Sequence, residues 1–469
     1  MAVTPECMTT WCRRILGADP NYPKLAVEQY LKAIPRLDTL ADLPRGTPVL
    51  VRGDVDAKPG AKVGEGDIRL RSMLETLNFG RQKGWKQIVF GHIGRKPEGS
   101  LDKVRKRLAE LLDAEVGFIE DWFDSQAMAI KDDVAKSIQQ SPPGSVIVLQ
   151  NTRKYDTERV LWKAKPDDLP KVAESLARFA NQFAEKVAKV YVNEAFSAGS
   201  LDASTVVVPV AMDRVALGHY VAEQFDKWLK DCLDAQMVVF SGLKADKLDD
   251  MEAMINRGKI RWVISAGSLA MALKKAAAEL EGQAFSLGIA EDPAKSDQPY
   301  FIPRSRIEQA KKMISAGRQK GIEFVLPVDF VLQDGRVSDH IGPGDQQFDI
   351  GPATSQLFAE KVGEFLTSQK GHQPVVFHNG VFGMFEDSRF EAGTRKFVEQ
   401  FKRLKDAGAK VYVGGGEGGT ALEKYGRPDW VTYCFTAGGT VLNALGSEPV
   451  PYLVALKLAA EKGNCGSCK

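Results

Sequence analysis

Short apolar runs alternate with amphipathic stretches along most of this chain. The first run, PVLVRGDV, begins at Pro48, and the stretch from Asp67 to Lys83 after it repeats apolar residues every three or four positions. A short apolar run is typical of a buried strand, and the second spacing is typical of a helix with one apolar face. The alternation of the two predicts βαβ units and a parallel sheet.

The same rhythm occurs twice. After the first run come WKQIVFGHIG, SVIVLQN and AKVYVNEAF, and a second series starts near Gln236 with QMVVFSG, IRWVISAG, FVLPVDFVL, QPVVFHNG and AKVYVGGG. We therefore predict an α/β fold with two Rossmann-like lobes, each a parallel sheet flanked by helices, joined by a hinge. The predicted segments are an N-terminal extension packed on the first lobe, the first lobe, a connecting helix, the second lobe and a C-terminal segment with its tail, over residues 1–45, 46–216, 217–235, 236–445 and 446–469.

Composition narrows the function classes. The chain has 469 residues, of which 44% are hydrophobic and 26% charged, and its formal net charge is +2. We expect neither nucleic acid nor a membrane as a partner, because the overall charge is nearly balanced and no apolar run approaches the roughly 18 residues of a spanning helix. Met1 to Arg14 lacks the apolar core of a signal peptide, so a cytoplasmic protein is expected. Cys465 and Cys468 offer only two thiolates, fewer than a structural zinc site uses, and predict a tail without metal.

Glycines and lysines follow the strands of the second half. Ligands of doubly wound sheets bind at the carboxyl ends of the strands. SGLKADK places Lys244 and Lys247 there, and VGGGEGGT and TAGGT each follow a strand and open a helix. Lysines balance the charge of a polyphosphate, and bare NH groups at a helix start bind anions. One such turn alone is equally a tight connection, but together they predict a nucleotide site.

Cationic side chains follow the strands of the first half. The aspartates Asp54 and Asp56 directly follow the first strand. The cationic or titratable side chains near the strand ends are Arg69, His92, Arg95 and Arg153. A single arginine of this kind usually forms a surface ion pair. Three arginines and a histidine at neighbouring strand ends instead predict a clamp for a small anion, since a guanidinium matches carboxylate and phosphate oxygens.

From about Pro48 to Ala460 the chain resembles the phosphoglycerate kinase family. The segments that carry the resemblance, in this order, are VLVRGDVD, RLRSMLETL, FGHIGRKP, LQNTRKY, VYVNEAFSAGSLDAST, SGLKADK, LPVD, DIGPAT, FHNGVFGMFE, VYVGGGEGGTA and FTAGGT. The resemblance implies a monomer whose N-terminal lobe binds an acid substrate and whose C-terminal lobe binds ATP or ADP with Mg²⁺. Closure of the lobes would bring carboxyl and phosphoryl groups into line and exclude water.

The resemblance also implies a role for individual residues. Those expected at the transferring phosphoryl group are Arg69, Lys244, Lys247, Gly415, Gly438 and Gly439. Those expected to bind the acid are Asp54, Asp56, His92, Arg95 and Arg153. Those expected to line the nucleotide pocket are Gly242, Gly267, Leu326, Asn379, Gly383, Glu386, Glu417 and Thr420, with Glu417 also placed near the metal. Considered without the resemblance, Glu386 is equally an exposed loop acid.

Several positions depart from the family pattern. Asp56 replaces an asparagine, Glu417 an aspartate and Val381 a proline. The stretch AFSAGSLDAST is one residue shorter than usual and has Ser200 to Asp202 where the family has histidines and an arginine. Losing a charged partner for a phosphate costs about 1.5–3 kcal/mol, so altered acid binding is expected.

Three interpretations stay open at this point. The chain is a phosphoglycerate kinase with a divergent acid pocket, a kinase acting on the carboxylate of a related small acid, or a catalytically weak or inactive homologue that binds nucleotide in a regulatory role. Retention of Arg69, both lysines and both glycine turns argues against the third interpretation. The altered stretch that ends at Asp202 argues against the first.

Overall fold

A computed structural model describes residues 2–59, 67–242, 247–369, 371–446 and 448–461. Lys244 and the cysteine pair of the tail lie outside the described residues. No helix in these ranges is both long and apolar enough to cross a membrane.

The described chain alternates strands and helices. The strands are β1 Pro48–Gly53, β2 Lys86–Phe90, β3 Val116–Ile119, β4 Phe123–Asp124, β5 Ala129–Ile130, β6 Val146–Leu149, β7 Val190–Glu194, β8 Arg214–Leu217, β9 Met237–Phe240, β10 Trp262–Ser265, β11 Glu323–Val325, β12 Phe330–Leu332, β13 Val337–Ser338, β14 Gln347–Ile350, β15 Val375–Asn379, β16 Lys410–Gly414 and β17 Tyr433–Phe435. The helices are α1 Pro5–Ile15, α2 Val27–Ala33, α3 Ile68–Ser72, α4 Leu74–Lys83, α5 Asp102–Leu112, α6 Asp132–Gln140, α7 Leu169–Lys186, α8 Ala203–Val206, α9 His219–Glu223, α10 Lys230–Cys232, α11 Lys247–Asn256, α12 Gly267–Leu280, α13 Arg304–Gln319, α14 Pro352–Ser368, α15 Ala392–Asp406, α16 Gly416–Tyr425, α17 Gly438–Leu445 and α18 Pro451–Glu461.

The chain divides into two compact units. Unit 1 comprises Met1–Asp226 and Glu448–Lys469, and unit 2 comprises Lys227–Ser447. The first boundary falls inside a π-helical segment, Gln224–Leu229, which joins α9 to α10. The predicted connecting helix, 217–235, is therefore helical over most of its length, although Leu217 still belongs to β8.

Unit 1 is built on a six-stranded parallel sheet in the order β3-β6-β2-β1-β7-β8. The strands at its centre are buried on both faces, as β1 shows with Val49, Leu50 and Val51 at no more than 1% exposure. Such strands read as continuous apolar runs because helices cover both faces of a parallel sheet. This explains why the sequence rhythm predicted the central strands.

Unit 2 repeats the arrangement with the order β11-β10-β9-β15-β16-β17. A small antiparallel sheet, β13-β12-β14, accompanies it. The predicted fold class, two parallel-sheet lobes flanked by helices, is confirmed.

One predicted strand was wrong. FVLPVDFVL is two strands, because the chain leaves the parallel sheet after Val325 and enters the antiparallel sheet at Phe330. Between them, the carboxylate of Asp329 accepts hydrogen bonds from the backbone N–H groups of Ala353 and Thr354 in the first turn of α14, at 3.0 and 2.7 Å. Because the Asp329 side chain caps that helix, this residue belongs to neither of the two strands.

The N-terminal residues add a helix that the sequence analysis missed. Thr4 accepts a hydrogen bond from the backbone N–H of Cys7, and Pro5 occupies the first helical position of α1. This helix packs on α7, and the indole N–H of its Trp11 donates to the carbonyl of Val206 at 2.7 Å. The first residues of the chain are thus part of the packing of unit 1.

Candidate active site

Each of the two six-stranded sheets has one point where the strand order reverses. In unit 1 the chain moves outward from β1 through β2 and then returns to the other side of β1 with β7; in unit 2, β9 and β15 are related in the same way. Ligands of doubly wound sheets bind in the crevice outside such a switch point. Asp54 and Ser197 follow the two strands at the switch point of unit 1, and Ser241 and Gly380 follow the two strands at that of unit 2.

Lys247 lies at the switch point of unit 2. Its ammonium group donates to the backbone carbonyl of Ser241 at 2.7 Å and to the side-chain carbonyl of Asn379 at 2.9 Å. These partners are the residue after β9 and the last residue of β15. Burial lowers the pKa of Lys247, while the nearby Glu417 carboxylate opposes that shift. The lysine is therefore held at the strand ends by neutral oxygens, with one further N–H available to an anion.

Two glycine turns meet beside this lysine. Gly415 has a φ of +94°, and a side chain at Gly438 would place its Cβ 2.6 Å from the Cα of Gly415. Only glycine allows the two backbones to come this close. Helices α16 and α17 start at these turns, so the N–H groups of their first turns come together at the same edge of the sheet. Asn379 ties the turns to β15, because its amide donates to the carbonyl of Gly414 at 3.1 Å.

A cavity of about 270 Å³ opens at these strand ends. Five of the predicted nucleotide residues line it, namely Gly242, Gly267, Gly383, Glu386 and Glu417. Gly267, with a φ of +66°, approaches the backbone of Gly242 so closely that a Cβ would lie 3.0 Å from its carbonyl oxygen. This contact brings the start of α12 against the end of β9.

Two predicted nucleotide residues are placed differently. Leu326 lines a separate cavity of about 260 Å³ that also contains Lys274 and Lys361. Thr420 lies one turn into α16, is exposed, and donates its hydroxyl to the carbonyl of Gly416 at 2.9 Å. Neither side chain lines the cavity that contains Gly242.

Glu417 is the carboxylate at the start of α16. The described residues include no group of three or more His, Cys, Asp or Glu side chains able to hold a metal by themselves. Mg²⁺ at phosphate sites is commonly held by one or two carboxylates together with the phosphates and water. A single glutamate lining the cavity fits that mode of binding and not a metal site built from protein ligands alone.

In unit 1, Asp54 lies at the switch point. It is buried, and it accepts a hydrogen bond from the hydroxyl of Ser197 at 2.8 Å. Its second carboxylate oxygen is buried and has no hydrogen-bond partner among the described residues. Burial raises the pKa of Asp54, while the Arg69 guanidinium, 3.8 Å away, opposes that rise. A buried oxygen without a partner is unusual and marks a place where a ligand can bind.

Arg69 faces the same crevice from α3. Its guanidinium lies 3.2 Å from the carboxylate of Asp56 and donates to the backbone carbonyl of that residue at 3.0 Å. Asp56 in turn accepts from the backbone N–H of Gly94 at 2.8 Å. The Arg69 side chain is 27% exposed, so part of the guanidinium is available to a ligand.

A buried carboxylate, Asp202, contacts two further residues of the predicted acid site, Arg153 and His92. Its Oδ2 lies 2.9 Å from Nη2 of Arg153 and 3.1 Å from Nδ1 of His92, and it also accepts from the hydroxyl of Ser200 at 2.8 Å. Its Oδ1 accepts from the indole N–H of Trp162 at 2.9 Å, and the Arg153 guanidinium lies over that indole ring, 4.6 Å from its centre. Asp202 is fully buried.

Arg52 extends this network from inside β1. Its guanidinium donates to the hydroxyls of Ser204 and Thr205 at 3.2 and 3.0 Å, approaches His92 Nδ1 at 2.9 Å and lies 3.9 Å from Asp202. Sequence analysis missed Arg52. The signal was available, because an arginine in an apolar strand run must have a buried partner.

Glu158 is connected to Arg52 through Ser204, which is hydrogen-bonded to both residues. It is fully buried and accepts from the backbone N–H of Ser204 at 2.8 Å and from the hydroxyl of Thr152 at 2.8 Å. Burial, together with the nearby charge of Asp202, raises the pKa of Glu158 to about 7. Sequence analysis also missed this residue, which has no local pattern to reveal it.

The same network sets the charge of Asp202 and His92. Burial alone would raise the pKa of Asp202, but the hydrogen bond to His92 and the charges of Arg153 and Arg52 outweigh it and hold that pKa well below its ordinary range. Burial lowers the pKa of His92, and only Asp202 opposes this. Asp202 is therefore ionised, and Arg153 and Arg52 supply its compensating charge.

The structure thus brings together most of the predicted acid-site residues. Asp54, Asp56 and Arg69 form one group, and His92 and Arg153 form a second group around Asp202. Arg95 belongs to the same loop as His92, but its side chain points to solvent.

Three comparisons with known proteins bear on this arrangement. The family model described as phosphoglycerate kinase matches residues 40–448. The phosphoglycerate kinase of Clostridium beijerinckii is 28% identical over 423 residues, covering 88% of this chain and 96% of the relative. That of Clostridium novyi is 30% identical over 430 residues, with the same coverage.

Solved structures agree on the fold. The phosphoglycerate kinase of Pyrococcus horikoshii OT3 aligns with a TM-score of 0.67 at 24% identity, covering 92% of this chain and all of the other. That of Coxiella burnetii aligns with a TM-score of 0.64 at 22% identity, covering 90% of this chain and 99% of the other.

Proposed function

Because this chain belongs to the phosphoglycerate kinase family, we propose that it transfers a phosphoryl group reversibly between Mg-ATP and the carboxylate of a small acid. The product in the forward direction is an acyl phosphate. Unit 2 binds the nucleotide and unit 1 binds the acid. Such an enzyme needs no covalent intermediate, since phosphoryl transfer is accelerated by positioning and charge neutralisation.

The observation that carries the proposal is the position of Lys247. It lies at the switch point of the sheet of unit 2, between the ends of β9 and β15, next to two glycine turns whose backbones are in contact. An ammonium group and two helix N-termini at one point favour a polyphosphate. Glu386, on the lining of the adjacent cavity, is available to ribose hydroxyls, and Asn379 holds the lysine in place.

The metal fits the same place. Glu417 is the carboxylate that would hold Mg²⁺ together with the phosphates, and the bound ion would neutralise charge that develops on the transferring group. On the acid side, Arg69 provides a partly exposed guanidinium for the same negative charge. Asp54 and Asp56 fix that guanidinium from one side, which leaves its remaining N–H groups for the ligand.

One specific observation favours a second candidate. Arg153 and His92 are already bonded to a carboxylate of the chain itself, Asp202. A homologue that has lost its acid and acts as a nucleotide-binding or regulatory protein would also tolerate such pairing. The two candidates differ in turnover and agree in nucleotide binding.

Turnover with a panel of small carboxylates tests the proposal. The purified protein is incubated with Mg-ATP, each acid and hydroxylamine, which traps an acyl phosphate as its hydroxamate. We expect ADP and hydroxamate in equal amounts with at least one acid, and a loss of both in Arg69→Ala. Arg71→Ala is the matched control, because Arg71 lies on the same short helix and pairs with Asp67 instead. Tight Mg-ATP binding without hydroxamate from any acid would support the regulatory candidate.

A further inference from the structure

We propose that Asp202 takes the place of a substrate phosphate in unit 1, so that the acid accepted by this site carries no phosphate group. The inference rests on the proposed function for the identity of the reaction, but its geometric part concerns unit 1 alone. It names Asp202 as a specificity-determining residue. The acid class that follows is a small carboxylate without a phosphate group, such as a hydroxy acid.

The first support is the number of donors that Asp202 uses. Arg153, His92, Trp162 and Ser200 all have a polar atom within 2.8–3.1 Å of its two carboxylate oxygens. A cluster of guanidinium, indole and hydroxyl donors with an adjacent imidazole is the kind that binds a phosphate. Here an internal carboxylate engages these donors, and it is fully buried.

The second support is the way in which this carboxylate is fixed. Asp202 directly precedes α8, and its backbone carbonyl accepts from Thr205 and Val206 at 2.9 and 3.0 Å. The Trp162 ring covers the guanidinium of Arg153 on one face. The third guanidinium nitrogen, Nη1, donates to the carbonyl of Gly94 at 2.7 Å. Removing Asp202 from Arg153 would break several charge-assisted hydrogen bonds at once.

The third support is the charge balance. The arginines of unit 1 that line or support the crevice are Arg52, Arg69 and Arg153, and the aspartates bonded to them or within ion-pair distance are Asp54, Asp56 and Asp202. Three positive side chains thus face three acidic ones. A phosphorylated acid brings about three negative charges, whereas an acid without phosphate brings one. The second leaves less negative charge to compensate at a site where Arg52, Arg69 and Arg153 already pair with aspartates of the chain.

Among these three arginines only Arg69 has a partly exposed guanidinium, and that one group is sufficient to bind an acid without a phosphate group. A carboxylate oxygen of the acid attacks the γ-phosphorus of ATP while the bond from that phosphorus to the β–γ bridging oxygen breaks, and the electron pair leaves with ADP. The acid and ATP carry five negative charges in total, as do the acyl phosphate and ADP, so no proton or further reactant is needed. Arg69 is the residue of unit 1 placed to meet that charge.

Binding measurements test the inference without turnover. The probes are inorganic phosphate, 3-phosphoglycerate and glycerate, of which the last two differ only by the phosphate group. The proteins are the unmodified chain, Asp202→Asn, which keeps the shape and one acceptor oxygen, and Asp156→Asn, the substitution of an exposed aspartate as a charge control. Asp202→Ser is a second variant in case the first fails to fold, and thermal unfolding checks each protein.

We expect the unmodified chain and the control to bind glycerate at least as well as 3-phosphoglycerate. Asp202→Asn should gain about tenfold or more in affinity for 3-phosphoglycerate and for phosphate, because guanidinium groups are released to charge-assisted bonds. Tight binding of 3-phosphoglycerate by the unmodified chain, or no gain in either Asp202 variant, would overturn the inference. A gain in these variants without turnover of any acid would instead uphold the role of Asp202 and reject the proposed kinase reaction.

Discussion

One buried acid, Glu194, should contribute stability to unit 1 that is lost as pH rises. It is the last residue of β7, is fully buried, and accepts from the backbone N–H groups of Tyr220 and Val221 in α9 at 3.0 and 3.3 Å. Burial raises its pKa from the ordinary 4.5 to about 7, although those hydrogen bonds and one from Thr76 oppose the rise. The folded state therefore holds a proton that the unfolded state releases.

The direction and size of the change in the free energy of unfolding with pH follow from that difference in pKa. A group whose pKa is raised by folding stabilises the protein below its unfolded pKa, and the stabilisation is lost as pH rises through the folded value. For Glu194 the loss falls between about pH 4.5 and pH 7 and amounts to about 3 kcal/mol, at 1.36 kcal/mol for each tenfold change. A glutamine at this position cannot ionise and has no such loss.

Urea unfolding of the unmodified chain and Glu194→Gln at pH 4.5 and pH 8 measures the effect. The free energy of unfolding of the variant, relative to the unmodified chain, should increase by about 3 kcal/mol between the two pH values. Any constant effect of the amide on the hydrogen bonds to α9 cancels in this comparison. The exposed Glu185, substituted by glutamine, is the control and should give a pH-independent difference. If the difference in the free energy of unfolding between Glu194→Gln and the unmodified chain were also the same at both pH values, the reasoning would be refuted.

Three further predictions concern the nucleotide site and the N-terminal helix. Lys247→Met should weaken Mg-ATP binding about 10- to 100-fold in calorimetry, since one charge-assisted bond is lost, and unchanged affinity would exclude the lysine from the site. Gly438→Ala should weaken the same binding more than Gly439→Ala, because its Cβ would lie 2.6 Å from Gly415 Cα whereas nothing lies within 4 Å at Gly439; equal effects would contradict this. Trp11→Phe should lower the free energy of unfolding by about 1 kcal/mol and Trp11→Ala by about 3–5 kcal/mol in urea titrations, and wild-type stability of the alanine variant would show that α1 adds nothing to unit 1.

The sequence predicted the sheets well because their central strands are buried on both faces. The strands that it missed are short and lie at or near sheet edges, as with Val116–Ile119. Side chains there are only partly buried, so the apolar run is short or interrupted. The missed helix α1 did carry a signal, since Thr4 and Pro5 form an N-cap followed by proline.

The candidate site was predicted in part for a related reason. Residues such as Asp54 and Lys247 directly follow strands, and the carboxyl edge of a parallel sheet brings such residues together. Asp202 was recognised as a departure from the family pattern, but its pairing with Arg153 joins residues 49 positions apart. No local pattern encodes that contact. The folded chain shows that the altered stretch does more than remove side chains that could bind a phosphate. Its Asp202 also provides a negative charge that pairs with Arg153.

Isotope transfer from the acid is the most direct test of the central claim, that a carboxylate is the phosphoryl acceptor. An acid that supports turnover is labelled with ¹⁸O in both carboxylate oxygens, and the acyl phosphate is cleaved by hydroxylamine, which attacks carbon. The account predicts that each inorganic phosphate released carries one ¹⁸O atom, from the bridging oxygen, and that the hydroxamate retains the other. Phosphate without ¹⁸O, formed together with ADP, would show that water is the acceptor, and ADP formed without release of phosphate would show that a hydroxyl group is. Either result would contradict the account.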